Sequence, residues 1–430
     1  MCPVEAAACG RSPDVRQQGR DRPDRLGEVR VQEQQSKDRP CTVLHVVQPV
    51  DGGVARVVAD LARAQLANGL RVVAACPSQG GLATTLAAHG AEVHSWEAGR
   101  EPGAALPRET AGFARIIRRT APDLVHAHSA KAGLAVRLAL RGRLPTVFQP
   151  HAWSFEAVTG LPAHLALHWE RRAARWAARV VCVSEAERRR GRSAGIRARW
   201  TVIPNGVDTA RFTPVTPPEA ARARHRLAPC AVGTGGVFDL SGAPLVVCVG
   251  RLCRQKGQDL LLRAWPAVTS RSPGARLVLV GDGPDRERLR AVAPAGVLFA
   301  GACPDPAPWY AAADLVVQPS RWEGMALAPL EAMACGRPVL LTDVAGARES
   351  LPPGHDASCL VPPEDPDGLG AGLVRLLADP ALRISLGEQA GRHVRATRDI
   401  TVTTAAVEAL YRELTGQPHR DRDREELISR

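Results

Sequence analysis

The stretch Leu315-Val-Val-Gln-Pro-Ser-Arg-Trp-Glu-Gly-Met-Ala-Leu-Ala-Pro-Leu-Glu331 decides how this chain reads. Its first part is a short apolar run stopped by Pro319, the pattern of a buried strand ending in a loop. Its last part continues as Ala328-Pro-Leu-Glu-Ala-Met-Ala334, a helix that tolerates Pro329 in its first turn and ends at Gly336. A strand feeding a helix places Glu323 at the carboxyl edge of a parallel sheet, where open α/β folds bind ligands. Glu331 then lies one or two turns into the helix. Between them, the backbone N–H groups of Gly324, Met325, Ala326 and Leu327 point toward anything anionic in the crevice. Two carboxylates around an anion site suit a ligand with both hydroxyls and phosphates, such as a nucleotide sugar.

Working outward, the same alternation of strand and helix recurs along the chain. Thr42–Val47 is a strand broken by Gly52-Gly53, and Val54, Val57, Val58 and Leu61 carry a helical stripe that stops at Asn68-Gly69. Further strands are expected at 71–75, 124–126, 146–148 and 180–183. A second series runs through 245–249, 277–280, 297–299, 315–317 and 338–341. The predicted class is α/β, with two doubly wound Rossmann-like domains facing across a cleft. The expected organisation is a disordered tail over 1–39, an acceptor-side domain over 40–213 and a donor-side domain over 214–396. A helix over 397–415 and a charged tail over 416–430 follow. Residues 213–244, rich in Pro, Gly and Ala, read as a linker and loop.

At 430 residues the chain exceeds one ordinary core, and its 45% apolar content is globular. No apolar run of spanning length occurs, and the N-terminus lacks a signal pattern, which places the expected protein in the cytoplasm. The eleven cysteines lack metal-ligand spacing and read as buried reduced thiols. The net charge of +12 is unevenly placed, because residues 41–213 carry 23 basic and 12 acidic side chains. Residues 164–200 alone hold ten arginines and three glutamates, with Trp169, Trp176 and Trp200 among them. This segment reads either as an amphipathic helix lying on an anionic membrane or as a solvated face with tryptophans in the core. No nucleic-acid module accompanies it, so no nucleic-acid partner is expected.

Each strand end offers candidates. Gly52 and Gly53 allow close backbone approach to a ligand, with the helix N–H groups behind them. Arg251 and Lys256, after the strand at 245–249, can neutralise a leaving diphosphate. Gly281, in Gly281-Asp-Gly-Pro284, would line the wall near a base or ribose, a turn signal in its bland reading. His151, in Gln149-Pro-His-Ala-Trp-Ser-Phe155, could bond a sugar hydroxyl. Ser129 and Lys131, in His126-Ala-His-Ser-Ala-Lys131, sit where an acceptor could dock.

Taken together these pieces resemble family 4 of the retaining glycosyltransferases, with GT-B architecture. The resemblance rests on Gly52-Gly53, the His151 segment, Val183-Ser-Glu185, Ile203-Pro-Asn-Gly-Val-Asp208 with Phe212, Gly250-Arg251 with Lys256-Gly257, Gly281 to Pro284, Glu323 to Glu331 and Gly336-Arg-Pro-Val339. It implies that Glu331 holds the donor ribose and that Glu323 meets the sugar beside amides from Gly324 onward. Arg251 and Lys256 match the diphosphate cations, Gly53 a phosphate contact and His151 the sugar-contacting histidine. It implies no metal and no cofactor, in keeping with the lack of a DxD-type pair. The implied partners are a UDP- or GDP-type sugar donor and a glycan or polyprenyl-linked acceptor, as in exopolysaccharide assembly. Met325-Ala326 and Ala345-Gly346 depart from the family pattern beside the donor pocket. Two rivals are an epimerase of the same architecture and a non-enzymatic protein binding membrane or nucleic acid. A dehydrogenase is disfavoured, since no GxGxxG follows the first strand.

Overall fold

The computed structural model describes residues 40–100, 103–228, 232–233, 236–237, 240 and 242–416. The tails expected over 1–39 and 416–430 lie outside these residues, apart from Gly416. Seven strands form the first sheet: β1 (Thr42–Val47), β2 (Arg71–Cys76), β3 (Glu92–Ser95), β4 (Leu124–His128), β5 (Thr146–Gln149), β6 (Arg179–Cys182) and β7 (Trp200–Val202). They lie in the order β3-β2-β1-β4-β5-β6-β7, all parallel. After a short antiparallel pair, β8 (Val232–Gly233) and β9 (Gly236–Val237), a six-stranded parallel sheet follows. Its strands are β10 (Leu245–Val249), β11 (Arg276–Val280), β12 (Val297–Gly301), β13 (Leu315–Gln318), β14 (Val339–Thr342) and β15 (Leu360–Val361), in the order β12-β11-β10-β13-β14-β15.

The central strands of both sheets are buried on both faces, which is why they read as unbroken apolar runs. Strand order reverses between β1 and β4 in one sheet and between β10 and β13 in the other. Open α/β sheets present a crevice at such points. The helices that position the site are α1 (Gly52–Ala67), α2 (Leu106–Thr120), α3 (Ala130–Leu140), α4 (Leu161–Ala173), α5 (Glu185–Ser193), α6 (Gln258–Arg271), α7 (Leu327–Ala334) and α8 (Ile400–Thr415). Helix α8 brings Val407, Leu410 and Tyr411 into the core beneath the first sheet, beside residues of α1.

Besides the two-residue strands β8 and β9, three strands escape the sequence pattern, β3, β7 and β15. They are short, and β3 and β7 are only partly buried, so no apolar run marks them. The segment expected as linker also holds a helix, Pro217–Leu227, capped reciprocally by Thr216 and Glu219. Its Ala223 packs into the core of the second sheet, and Arg224 pairs with Asp314 at 2.6 Å. The Thr-x-x-Glu signature was present at 216–219, but its proline-rich flank reads as loop.

Candidate active site

Glu323 stands on the loop after β13, 8% exposed. It receives the Lys256 ammonium and, at 2.8 Å, the hydroxyl of Ser320, which itself accepts from Gln318 at 2.7 Å. Lys256 arrives from the loop after β10, its stem packed beside Gly250. Two neighbouring strand ends thus share one ion pair. Arg251, one residue past Gly250, is exposed, and its guanidinium makes no ion pair or hydrogen bond among the described residues. A small pocket lies beside Glu323, lined by Ser320, Ala326, Pro329, Thr342 and Ala345 among others.

Close backbone packing explains two of the expected glycines. At Gly281 (φ 141°) an added Cβ would lie 2.1 Å from the Gly250 carbonyl oxygen, so that residue locks two strand ends together. At Gly324 an added Cβ would lie 2.8 Å from Val183 Cγ2 and 3.1 Å from both the His151 carbonyl carbon and Glu187 Oε1. Gly324 therefore packs directly against the first half, and the His151 loop faces the Glu323 loop. Asn205 supports that loop by donating to the Met325 carbonyl at 2.8 Å.

His151 and Ala152 have φ of 58° and 138°, a left-handed run without glycine. Such residues cost about 1–3 kcal/mol each and persist where the surroundings impose them. Here the Trp153 ring is buried and donates to the Glu187 carbonyl at 2.9 Å, fixing the loop on α5. Glu187 itself is buried. Its Oε2 accepts from the Val183 amide at 2.7 Å, and burial pushes the carboxyl up to about 8. Gly52 and Gly53 open α1, exposed, with no side-chain cap on the Asp51 side and open space around both.

Glu331 is engaged where the sequence offered no partner. Its Oε1 accepts from Arg56 of α1 at 2.7 Å and its Oε2 from the Tyr310 hydroxyl at 2.7 Å, and it is 3% exposed. Arg56 was legible in principle, since it lies one turn beyond Gly52-Gly53 on the same helical face. Glu187, three residues past the cap Ser184, carried only the Ser-x-x-Glu signature of a helix start.

One expectation needs correction. Lys131 does not face the crevice: it is buried against Glu109 at 2.7 Å, and both side chains are 3% exposed. An unpaired ammonium could not be buried at that depth, so its position in α3 serves the interior. Met325 was singled out for its backbone N–H alone, and its side chain is buried in the second core. In the basic segment the tryptophans face inward, Trp169 and Trp176 half-buried with ring centroids 6.0 Å apart. The exposed apolar residues are instead Val158, Leu161 and Leu165, beside exposed Arg171, Arg172 and Arg175. Ser129 does stand at a strand end, with φ 80° and its hydroxyl buried without a hydrogen-bond partner among the described residues. The described cysteines are free thiols. Among the described residues no helix is long and apolar enough to cross a membrane.

Two parallel sheets whose carboxyl ends meet across a crevice define the GT-B class. A solved structure from Anabaena, HepE in complex with UDP and glucose, superposes with a TM-score of 0.73 at 23% identity, covering 86% of this chain and 99% of that one. The family models "Glycosyltransferase Family 4" and "Glycosyl transferases group 1" match residues 51–211 and 243–379. The chain belongs to the family 4 glycosyltransferases. It is 37% identical over 226 residues to the lipopolysaccharide core biosynthesis mannosyltransferase LpcC of Rhizobium leguminosarum bv. viciae, covering 50% of this chain and 60% of that protein. It is 35% identical over 227 residues to a GDP-mannose-dependent monoacylated alpha-(1-6)-phosphatidylinositol monomannoside mannosyltransferase of Corynebacterium glutamicum, covering 50% and 56%. The chain thus spans less than two thirds of the length of these relatives.

Proposed function

We propose that this protein transfers a sugar, with retention and without a metal, from a nucleoside diphosphate sugar to a lipid-linked or polymeric glycan. The observation that carries this reading is the pairing of Lys256 with Glu323 at the strand end that also carries Arg251, whose guanidinium is unpartnered among the described residues. Two cations at one strand end suit a departing diphosphate, where negative charge grows during transfer. Glu323 and the amides from Gly324 to Leu327 then meet the sugar and phosphate, Gly52 and Gly53 approach the donor phosphate, and Glu331 takes the ribose. The acceptor enters past Ser129 and His151. Attack occurs on the face the diphosphate leaves, and the departing oxygen helps take the acceptor proton.

The names of the two relatives make GDP-mannose the first donor to try, with UDP-glucose second. The exposed Leu161, Leu165 and arginines of α4 would hold the protein at an anionic membrane where a polyprenyl-linked acceptor resides. The test is an assay of each donor with a polyprenyl diphosphate glycan, with and without EDTA, reading the product's anomeric configuration by NMR. A retained anomer formed in EDTA supports the reading. An inverted anomer, loss of turnover in EDTA, or epimerised donor without acceptor would each overturn part of it.

A further inference from the structure

His45 comes from β1, and His126 and His128 from β4, with His45 opposite His126 in the strand register. Residues two apart on a strand share a face, so the three rings stand together. They are fully buried, between Gln65 of α1 and Tyr411 of α8, whose hydroxyl lies 2.6 Å from His126 Nδ1. A line of contacts leads from this interior to the crevice. Gln65 Oε1 lies 2.8 Å from His45 Nε2, His45 Nδ1 lies 3.0 Å from His128 Nε2, and His128 Nδ1 lies 3.2 Å from His151 Nε2.

A neutral imidazole has one N–H and one bare nitrogen. Burial pushes all four rings below the usual histidine range, His45 to about 4 and His151 to about 3, so each carries one ring proton at neutral pH. The amide oxygen of Gln65 can only accept, so His45 Nε2 donates and its Nδ1 is bare. That nitrogen accepts from His128 Nε2, and the bare His128 Nδ1 accepts from His151 Nε2. The chain leaves His151 Nδ1 with a lone pair and no hydrogen bond among the described residues.

We propose that Gln65, His45 and His128 are positioning residues that set the tautomer of His151, so that its Nδ1 accepts a hydrogen bond from a hydroxyl of the transferred sugar. This rests on the reading of His151 as the sugar-facing histidine. The arrangement is specific to one direction: reversing the Gln65 amide would reverse every proton and turn His151 Nδ1 into a donor.

The test uses full-length protein labelled with 15N-histidine and long-range 1H–15N correlation spectra. Wild type should show His151 protonated at Nε2 and bare at Nδ1. Gln65→Leu removes the terminal acceptor and should mix the two tautomers while lowering kcat about 10- to 100-fold with KM little changed. Gln65→Glu keeps an acceptor and should retain both the tautomer and most of the turnover. An Nδ1–H tautomer in wild type overturns the proposal without any variant. So does zinc in the purified protein, because one nitrogen from each of His45, His126 and His128 lies within 4.8 Å of the others and ligation would break the chain. A mixed tautomer in Gln65→Leu with unchanged kcat overturns the positioning role. Full turnover in His151→Ala would instead overturn the sugar-contact reading beneath it.

Discussion

Single side chains separate catalysis from scaffolding at this site. Arg251 is exposed and makes no bond among the described residues, so Arg251→Ala should leave the melting temperature unchanged while cutting turnover by about 100- to 1,000-fold, the usual scale for removing one preorganised charge stabiliser. Near-normal turnover would remove it from the mechanism. Lys131→Met should behave in the opposite way. Breaking a buried pair leaves the Glu109 carboxylate uncompensated, at a cost of about 3–5 kcal/mol in urea unfolding, with the acceptor KM unaltered in whatever protein folds. Sequence spacing treated both lysine and arginine as site cations, because a strand-end position is legible and the depth of a side chain in a packed helix is not. Glu187 adds a pH signature. Its carboxyl holds a proton in the folded state up to about 8, whereas an unfolded glutamate loses it near 4.5. Between those values the folded state binds more protons, so this residue makes stability fall as pH rises from 5 to 8. Glu187→Gln should flatten that fall in a series of melting curves, and an identical slope would show that the carboxyl is ionised in the fold.

Elements were legible in proportion to their burial. The strands that carry the site, β1, β4, β5, β10, β11 and β13, are buried and mostly apolar, so Gly52, Ser129, His151, Arg251, Gly281 and Glu323 could each be placed at a strand end. Edge strands β3, β7 and β15 bury too little to leave such a trace. The pairing of elements was legible only in part. Nothing in the local pattern of α8 told that Tyr411 would reach His126, or that Arg56 of α1 would reach α7, since such contacts depend on how two separate layers meet. Helix α4 shows the same limit from outside. The arginine-rich composition of residues 164–200 was plain, but the apolar residues left exposed on α4 are Leu161, 71% exposed, and Leu165, 62% exposed, rather than Trp169. If α4 lies on a membrane, Leu161→Glu with Leu165→Glu should weaken sedimentation with phosphatidylglycerol vesicles at least tenfold, whereas Trp169→Phe should hardly matter for binding. Equal binding by the leucine variant would return α4 to a plain solvated face.

At the scale of the whole molecule the question is how the two sheets hold together before a donor arrives. Asn205 holds the Met325 carbonyl, Gly324 packs on the His151 loop, and Arg56 spans from α1 to Glu331, reaching the Pro304 carbonyl as well. Each Glu331 oxygen therefore already accepts one hydrogen bond, from Arg56 and from the Tyr310 hydroxyl. On the proposed reading, a ribose diol that takes the lone pair now facing Arg56 moves that guanidinium aside, so part of the donor's binding free energy replaces an existing bond instead of adding a new one. Arg56→Ala tests this directly. Without the guanidinium, Glu331 is left buried with only the Tyr310 hydroxyl, and the donor-free variant should melt several degrees below wild type, because one to a few kcal/mol is a large fraction of a protein's stability. The donor then meets an unpaired carboxylate. The rise in melting temperature on adding saturating GDP-mannose, or whichever donor the assay selects, should be larger in Arg56→Ala than in wild type, and Glu331→Ala should abolish most of the rise in either background. An equal or smaller rise in Arg56→Ala would mean that Arg56 works with the donor, holding Glu331 in place for the ribose, and that the crevice is already shaped for its ligand before the ligand enters.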